Sequence, residues 1–89
     1  MIDHPHVEKS AVGYHVVKGT KVPVYRLWHW HRQGVTVETL MKRYPQLGPA
    51  RVLDALAFGY DNHDVVNAEL ATEELMLASF ESPQKKLPF

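Results

Sequence analysis

The stretch Val16-Val17-Lys18-Gly19-Thr20-Lys21-Val22-Pro23-Val24 constrains this chain most. Within it, extended backbone must turn sharply and become helix. Gly19 can take a positive φ at little steric cost. The β-branched residues on both sides favour strand. Pro23 has no N–H to give a ladder, so it belongs at a strand edge or in the first turn of the next helix. The stretch therefore predicts a tight hairpin, residues 14–17 against 22–24, that hands over directly to a helix.

Around that pivot the chain divides into an arm at 1–13, one domain at 14–81 and a flexible tail at 82–89. Pro5 and Gly13 argue against helix in the arm. The first helix is expected over 24–33, with Val24, Leu27, Trp28 and His31 on one face and Gly34 as its stop. Thr36 is a good N-cap for a second helix, with Glu38 near its start and Lys42 and Arg43 near its end. Val37, Leu40, Met41 and Tyr44 form its apolar stripe, and Pro45 ends it. Pro49 opens a third helix with Val52, Leu53, Leu56, Ala57 and Tyr60 expected inward. Ala55, Ala57 and Gly59 are small enough to allow close helix approach. A fourth helix runs from an Asp64 cap to about Phe80. The fold class is thus mainly α: a short N-terminal β-hairpin, then about four helices around a helix-turn-helix-like core.

With 89 residues the chain makes one domain whose core is marginal alone, so a homodimer or another bound partner is expected. The absence of cysteine removes disulfides and thiolate metal sites. No run approaches the ~20 apolar residues of a membrane span, and no secretory signal opens the chain. A cytoplasmic protein that does not engage membranes is the expectation.

The net charge of zero hides an asymmetry. Lys18, Lys21, Arg26, Arg32, Lys42, Arg43 and Arg51 face a single acid, Glu38, over 18–51. Asp54, Asp61, Asp64, Glu69, Glu73, Glu74 and Glu81 follow with no Lys or Arg among them. Either the two halves meet different partners, or they neutralise each other within the fold or across a dimer.

Helices two and three, joined by Tyr44-Pro45-Gln46-Leu47-Gly48, fit a helix-turn-helix. In that geometry the third helix would enter a major groove by its N-terminal end. Lys21, Lys42, Arg43, Gln46 and Arg51 are the candidate DNA-binding residues. One Arg beside Asp54 is a thin base-reading surface, so affinity would come mainly from phosphates and fall with salt. Trp30 lies off the stripe of its helix, either covered by the hairpin or at an interface. The fourth helix carries apolar residues on two sides, which predicts packing on its own domain and on something else. Trp30, Leu70, Glu73, Leu77 and Phe80 are the candidate partner-binding residues.

Chemistry of other kinds finds little support. There is no Gly-rich phosphate loop and no His-Glu-x-x-His. His4 and His6 flank Pro5 on the arm, where histidines are usually solvated, and His29 and His31 point to different sides of a helix. Asp61, His63 and Asp64 have the residue types of an acid/base or metal cluster, but such a group is more often capping chemistry between two helices. No catalytic residue, metal ligand or cofactor is assigned, and the chain is expected not to be an enzyme.

The series Gly19-Thr20-Lys21-Val22-Pro23-Val24, Gly34 before a capped helix, Tyr44-Pro45-x-Leu47, Ala55-Leu56-Ala57-Phe58 and Asp61-Asn62 resembles the domain-of-unknown-function family numbered 433. The resemblance covers about residues 2–66. Lys21 stands where that family usually has arginine, and the paired glycines usual before Gly-Thr are lacking. The resemblance implies a helix-turn-helix-like body and an antitoxin-like role beside a PIN-type nuclease toxin, with operator DNA as a further partner. The competing expectation is a homo-oligomerising interaction module that binds no DNA.

Overall fold

The computed structural model describes the backbone of residues 3–80 and side-chain surroundings as far as Glu73. The tail expected at 82–89 lies outside the described residues. The element order is β1 (Val7–Lys9), β2 (His15–Val17), α1 (Val24–Arg32), α2 (Val37–Arg43), α3 (Gly48–Asp61) and α4 (His63–Phe80). The fold is mainly helical, with an N-terminal two-stranded antiparallel hairpin.

The hairpin forms, but with a different partner from the one expected. β2 pairs with β1, in the register Val7 with Val17, Glu8 with Val16 and Lys9 with His15. The stretch read as an arm therefore supplies a strand. The turn at Lys18-Gly19-Thr20 is present. Gly19 has φ 80°, and the Thr20 N–H and hydroxyl both donate to the Val17 carbonyl, at 3.0 and 2.8 Å. On its far side only an isolated bridge survives, Val16 with Pro23. The cause is Pro23: without an N–H it cannot extend a ladder, and its extended backbone (φ −69°, ψ 139°) delivers the chain to α1 at Val24.

α1 buries Val24, Tyr25, Leu27 and Trp28. It ends in a Schellman motif: Gly34 takes φ 95°, its N–H donates to the His31 carbonyl, and the Val35 N–H donates to the Trp30 carbonyl. α2 is capped as its sequence predicts, the Thr36 hydroxyl accepting from the Thr39 N–H at 3.2 Å. Leu40 is fully buried, and Val37, Met41 and Tyr44 pack against the core.

α3 departs from the expected face. Its buried residues are Val52, Ala55, Leu56 and Gly59, while Leu53 and Tyr60 are about half exposed (52% and 54%) and Ala57 is exposed. Helical spacing permits either stripe. Close packing decides between them, because the indole of Trp28 lies where a β-carbon on Gly59 would fall, so the small residues must face α1. α4 also starts differently. Asn62, the only residue between α3 and α4, gives its carbonyl to the Val66 N–H at 3.1 Å. Asp64, expected as the cap, sits inside the first turn and is 95% exposed at its side chain. Val66 is fully buried, and the Trp28 indole N–H donates to Asn67 Oδ1 at 2.8 Å, tying α1 to α4.

Candidate functional site

The α2–α3 corner positions most of the expected DNA contacts. Pro45 ends α2, Leu47 is buried, and Gly48 turns left-handed (φ 72°) to launch α3 with Pro49 in its first turn. Lys42 and Arg43 close α2, Gln46 lies in the turn and Arg51 in the first turn of α3; all four are exposed. Lys21 is exposed too, on the separate turn between β2 and α1. Among the described residues, none of these five makes an ion pair. Arg43 instead lays its guanidinium over the Trp30 ring, 5.1 Å from the centroid.

The acids of α3 lead a different life. His4 Nδ1 donates to Asp54 Oδ1 at 3.0 Å and His4 Nε2 donates to Asp61 Oδ2 at 2.8 Å. The His6 N–H donates to the second Asp54 oxygen at 2.8 Å. A neutral imidazole has one N–H, so a carboxylate at each nitrogen favours the protonated form of His4. Burial alone would lower its pKa, but the hydrogen bonds and charges of Asp54 and Asp61 outweigh that and raise it above 6.5. A second clamp lies alongside: the His15 N–H and Nδ1 donate to the two oxygens of Glu69, at 2.9 and 2.7 Å. The Phe58 ring stands between the clamps, 5.4 Å from the His4 ring and 4.8 Å from the His15 ring.

The expected partner-binding residues are distributed. Trp30 is half buried against the core under Arg43, and Leu70 packs on the core. Glu73 is engaged by Arg26 at 3.0 Å. Leu77 and Phe80 lie on α4 with side chains outside the described residues. Asp61, His63 and Asp64 do not converge, since Asp61 turns to His4 while His63 pairs with Asp64. Among the described residues no group of His, Cys, Asp and Glu could hold a metal ion, and no helix is long and apolar enough to cross a membrane.

Sequence reasoning missed the His4–Asp54–Asp61 clamp. The partners are 50 and 57 residues apart, and nothing local to Pro5 marks His4 as anything but a solvated arm residue. Tyr25 was missed as well: it is buried between Tyr14 and Glu73, and burial, then the Glu73 carboxylate, push its pKa up.

In class, this is a small, mainly helical protein of four helices with an N-terminal two-stranded antiparallel hairpin. The family model described as "Protein of unknown function (DUF433)" matches residues 3–59, and the chain belongs to that family. No curated protein and no solved structure matches it.

Proposed function

We propose that this chain is a non-enzymatic, antitoxin-like protein that neutralises a PIN-type nuclease toxin and sets its α2–α3 corner on operator DNA. The observation that supports the DNA half is an electrostatic division of α3. Lys42, Arg43, Gln46 and Arg51 stand exposed at its leading end. The carboxylates that would repel phosphate there, Asp54 and Asp61, are turned to the arm and offset by His4. Phosphates would then supply the affinity, with Arg51 and Gln46 the side chains in position to touch base edges. Support for the protein-binding half comes from α4, where Val66 and Leu70 pack inward while Val65, Ala68 and Ala71 are exposed. The PIN-type partner follows from the family resemblance. The test is an RNA-cleavage assay of the product of the neighbouring gene, run with and without the purified chain. Near-stoichiometric inhibition by the purified chain is expected; unchanged cleavage would overturn the reading.

A second reading, a homo-oligomerising module without DNA binding, is favoured by the outer face of α3. Ala50, Leu53, Ala57 and Tyr60 share one exposed, largely apolar side of that helix. Light scattering separates the two: a dimer dispersed by Leu53→Glu, with no salt-dependent DNA partner, would favour it.

A further inference from the structure

We propose that a small cavity where α1, α3 and α4 meet receives one phosphate group of a phosphate ester, with Arg32 supplying the charge and Asn67 and His63 the further contacts. The cavity has a volume of about 220 Å³ and is lined by Trp28, Arg32, Tyr60, His63 and Asn67. That is below the ~300–1,000 Å³ of sites for whole small molecules, but it holds several waters at ~30 Å³ each, and so one tetrahedral oxyanion. Tyr60 stands in the last turn of α3, so the site lies at the opposite end of that helix from the α2–α3 corner. None of its residues belongs to the set assigned to DNA, and the inference does not rest on that reading.

The lining chemistry selects an anion. Arg32 is exposed, and among the described residues no carboxylate pairs with it. Arg26 on the same helix, by contrast, is taken by Glu73. The Arg32 guanidinium lies over the Trp28 ring, 5.5 Å from its centroid, which steadies the cation while its N–H groups stay without an acceptor. Asn67 takes the Trp28 indole N–H on Oδ1 at 2.8 Å, so its carboxamide is oriented with the NH2 as the end that has no partner among the described residues. His63 engages Asp64 through Nδ1 at 3.1 Å and keeps Nε2, while the Asp64 side chain is 95% exposed and no carboxylate lines the cavity. The Tyr60 ring stands edge-on to Trp28, centroids 4.9 Å apart, and its hydroxyl is tied to His31 Nε2, which fixes the remaining wall.

The number of donors separates phosphate from carboxylate. A carboxylate has two oxygens in one plane, and a single guanidinium edge satisfies both. The α4 donors would then face nothing. A phosphate ester presents further oxygens out of that plane, which Asn67 Nδ2 and the imidazolium form of His63, through Nε2, can meet from α4.

The test is amide and side-chain NMR of the intact chain at constant ionic strength, titrated with inorganic phosphate, methyl phosphate, dimethyl phosphate and acetate. The expected result is saturable shifts of the Trp28 indole N–H, the Asn67 NH2 and the His63 amide with inorganic phosphate and with at least one of the esters. Acetate should bind at least about tenfold more weakly. Arg32→Gln, at an exposed position, should weaken phosphate by about tenfold or more. Asn67→Asp keeps an acceptor for the Trp28 indole but puts a carboxylate in the cavity; it should abolish the phosphate shifts and leave the remaining spectrum in place. Preference for methyl phosphate would assign the cavity to a small phosphorylated ligand, and preference for dimethyl phosphate to a nucleic-acid backbone; both uphold the phosphate group. Binding of inorganic phosphate with rejection of both esters would make it the site of an adventitious ion only and overturn the inference. Acetate binding as tightly as phosphate, or an Arg32→Gln variant with unchanged affinity, equally overturns it. Absence of shifts at these residues with all the phosphates overturns it outright.

Discussion

His4 Nδ1 donates to Asp54 Oδ1 across 3.0 Å, and the bond joins the N-terminal arm to the helix that would face DNA. With Asp61 on the other ring nitrogen, the histidine is bound more tightly when protonated. Its folded pKa is raised above the unfolded 6.5. The clamp's contribution to stability is therefore fully present below pH 6.5 and is lost as pH rises through the folded value. Urea midpoints of the wild type should fall over that window relative to His4→Gln, and the His4 ring should titrate above 6.5 by NMR. A His4 that titrates at or below its unfolded value would sink this account.

Gly59 and Trp28 set the spacing of α1 and α3. A β-carbon on Gly59 would stand 2.8 Å from Trp28 Cδ2, too close for any packed side chain. Gly59→Ala should destabilise by about 1–3 kcal/mol despite its better helix propensity. Thermal unfolding would show it; a neutral or stabilising result would mean that the two helices can separate freely.

Thr36 holds the start of α2 through the Thr39 N–H. Thr36→Ala should cost about 1 kcal/mol, and Thr36→Asp should restore most of it. Chemical denaturation of the three proteins checks both. Because α2 carries Lys42 and Arg43, frayed capping should also loosen the edge proposed to meet DNA.

Local chemistry was legible in the sequence. The Gly19 turn, the Gly34 stop, the Thr36 cap and the Pro45 break each depend on one residue acting on its own neighbours. What was not legible came from contacts distant along the chain. The partner strand for β2 lies upstream, on the opposite side of β2 from the turn at Lys18-Gly19-Thr20, and Pro23 removed the candidate that follows that turn. The inward face of α3 was decided by Trp28, not by the helix's own periodicity. Of the candidate site, Lys42, Arg43, Gln46 and Arg51 could be read off a short span. The offsetting of Asp54 by His4 required a fold that brings together residues 50 positions apart.

The central claim is that the exposed cations of the α2–α3 corner bind phosphate. The most direct test is fluorescence anisotropy with a labelled duplex of the chain's own upstream DNA over a range of salt, comparing the wild type with Lys42→Ala/Arg43→Ala. The account predicts salt-sensitive binding by the wild type. It predicts a variant that is weaker on every sequence, with the log–log salt slope reduced by roughly 2. No binding at low salt, or a variant with an unchanged slope and an intact fold, would contradict it.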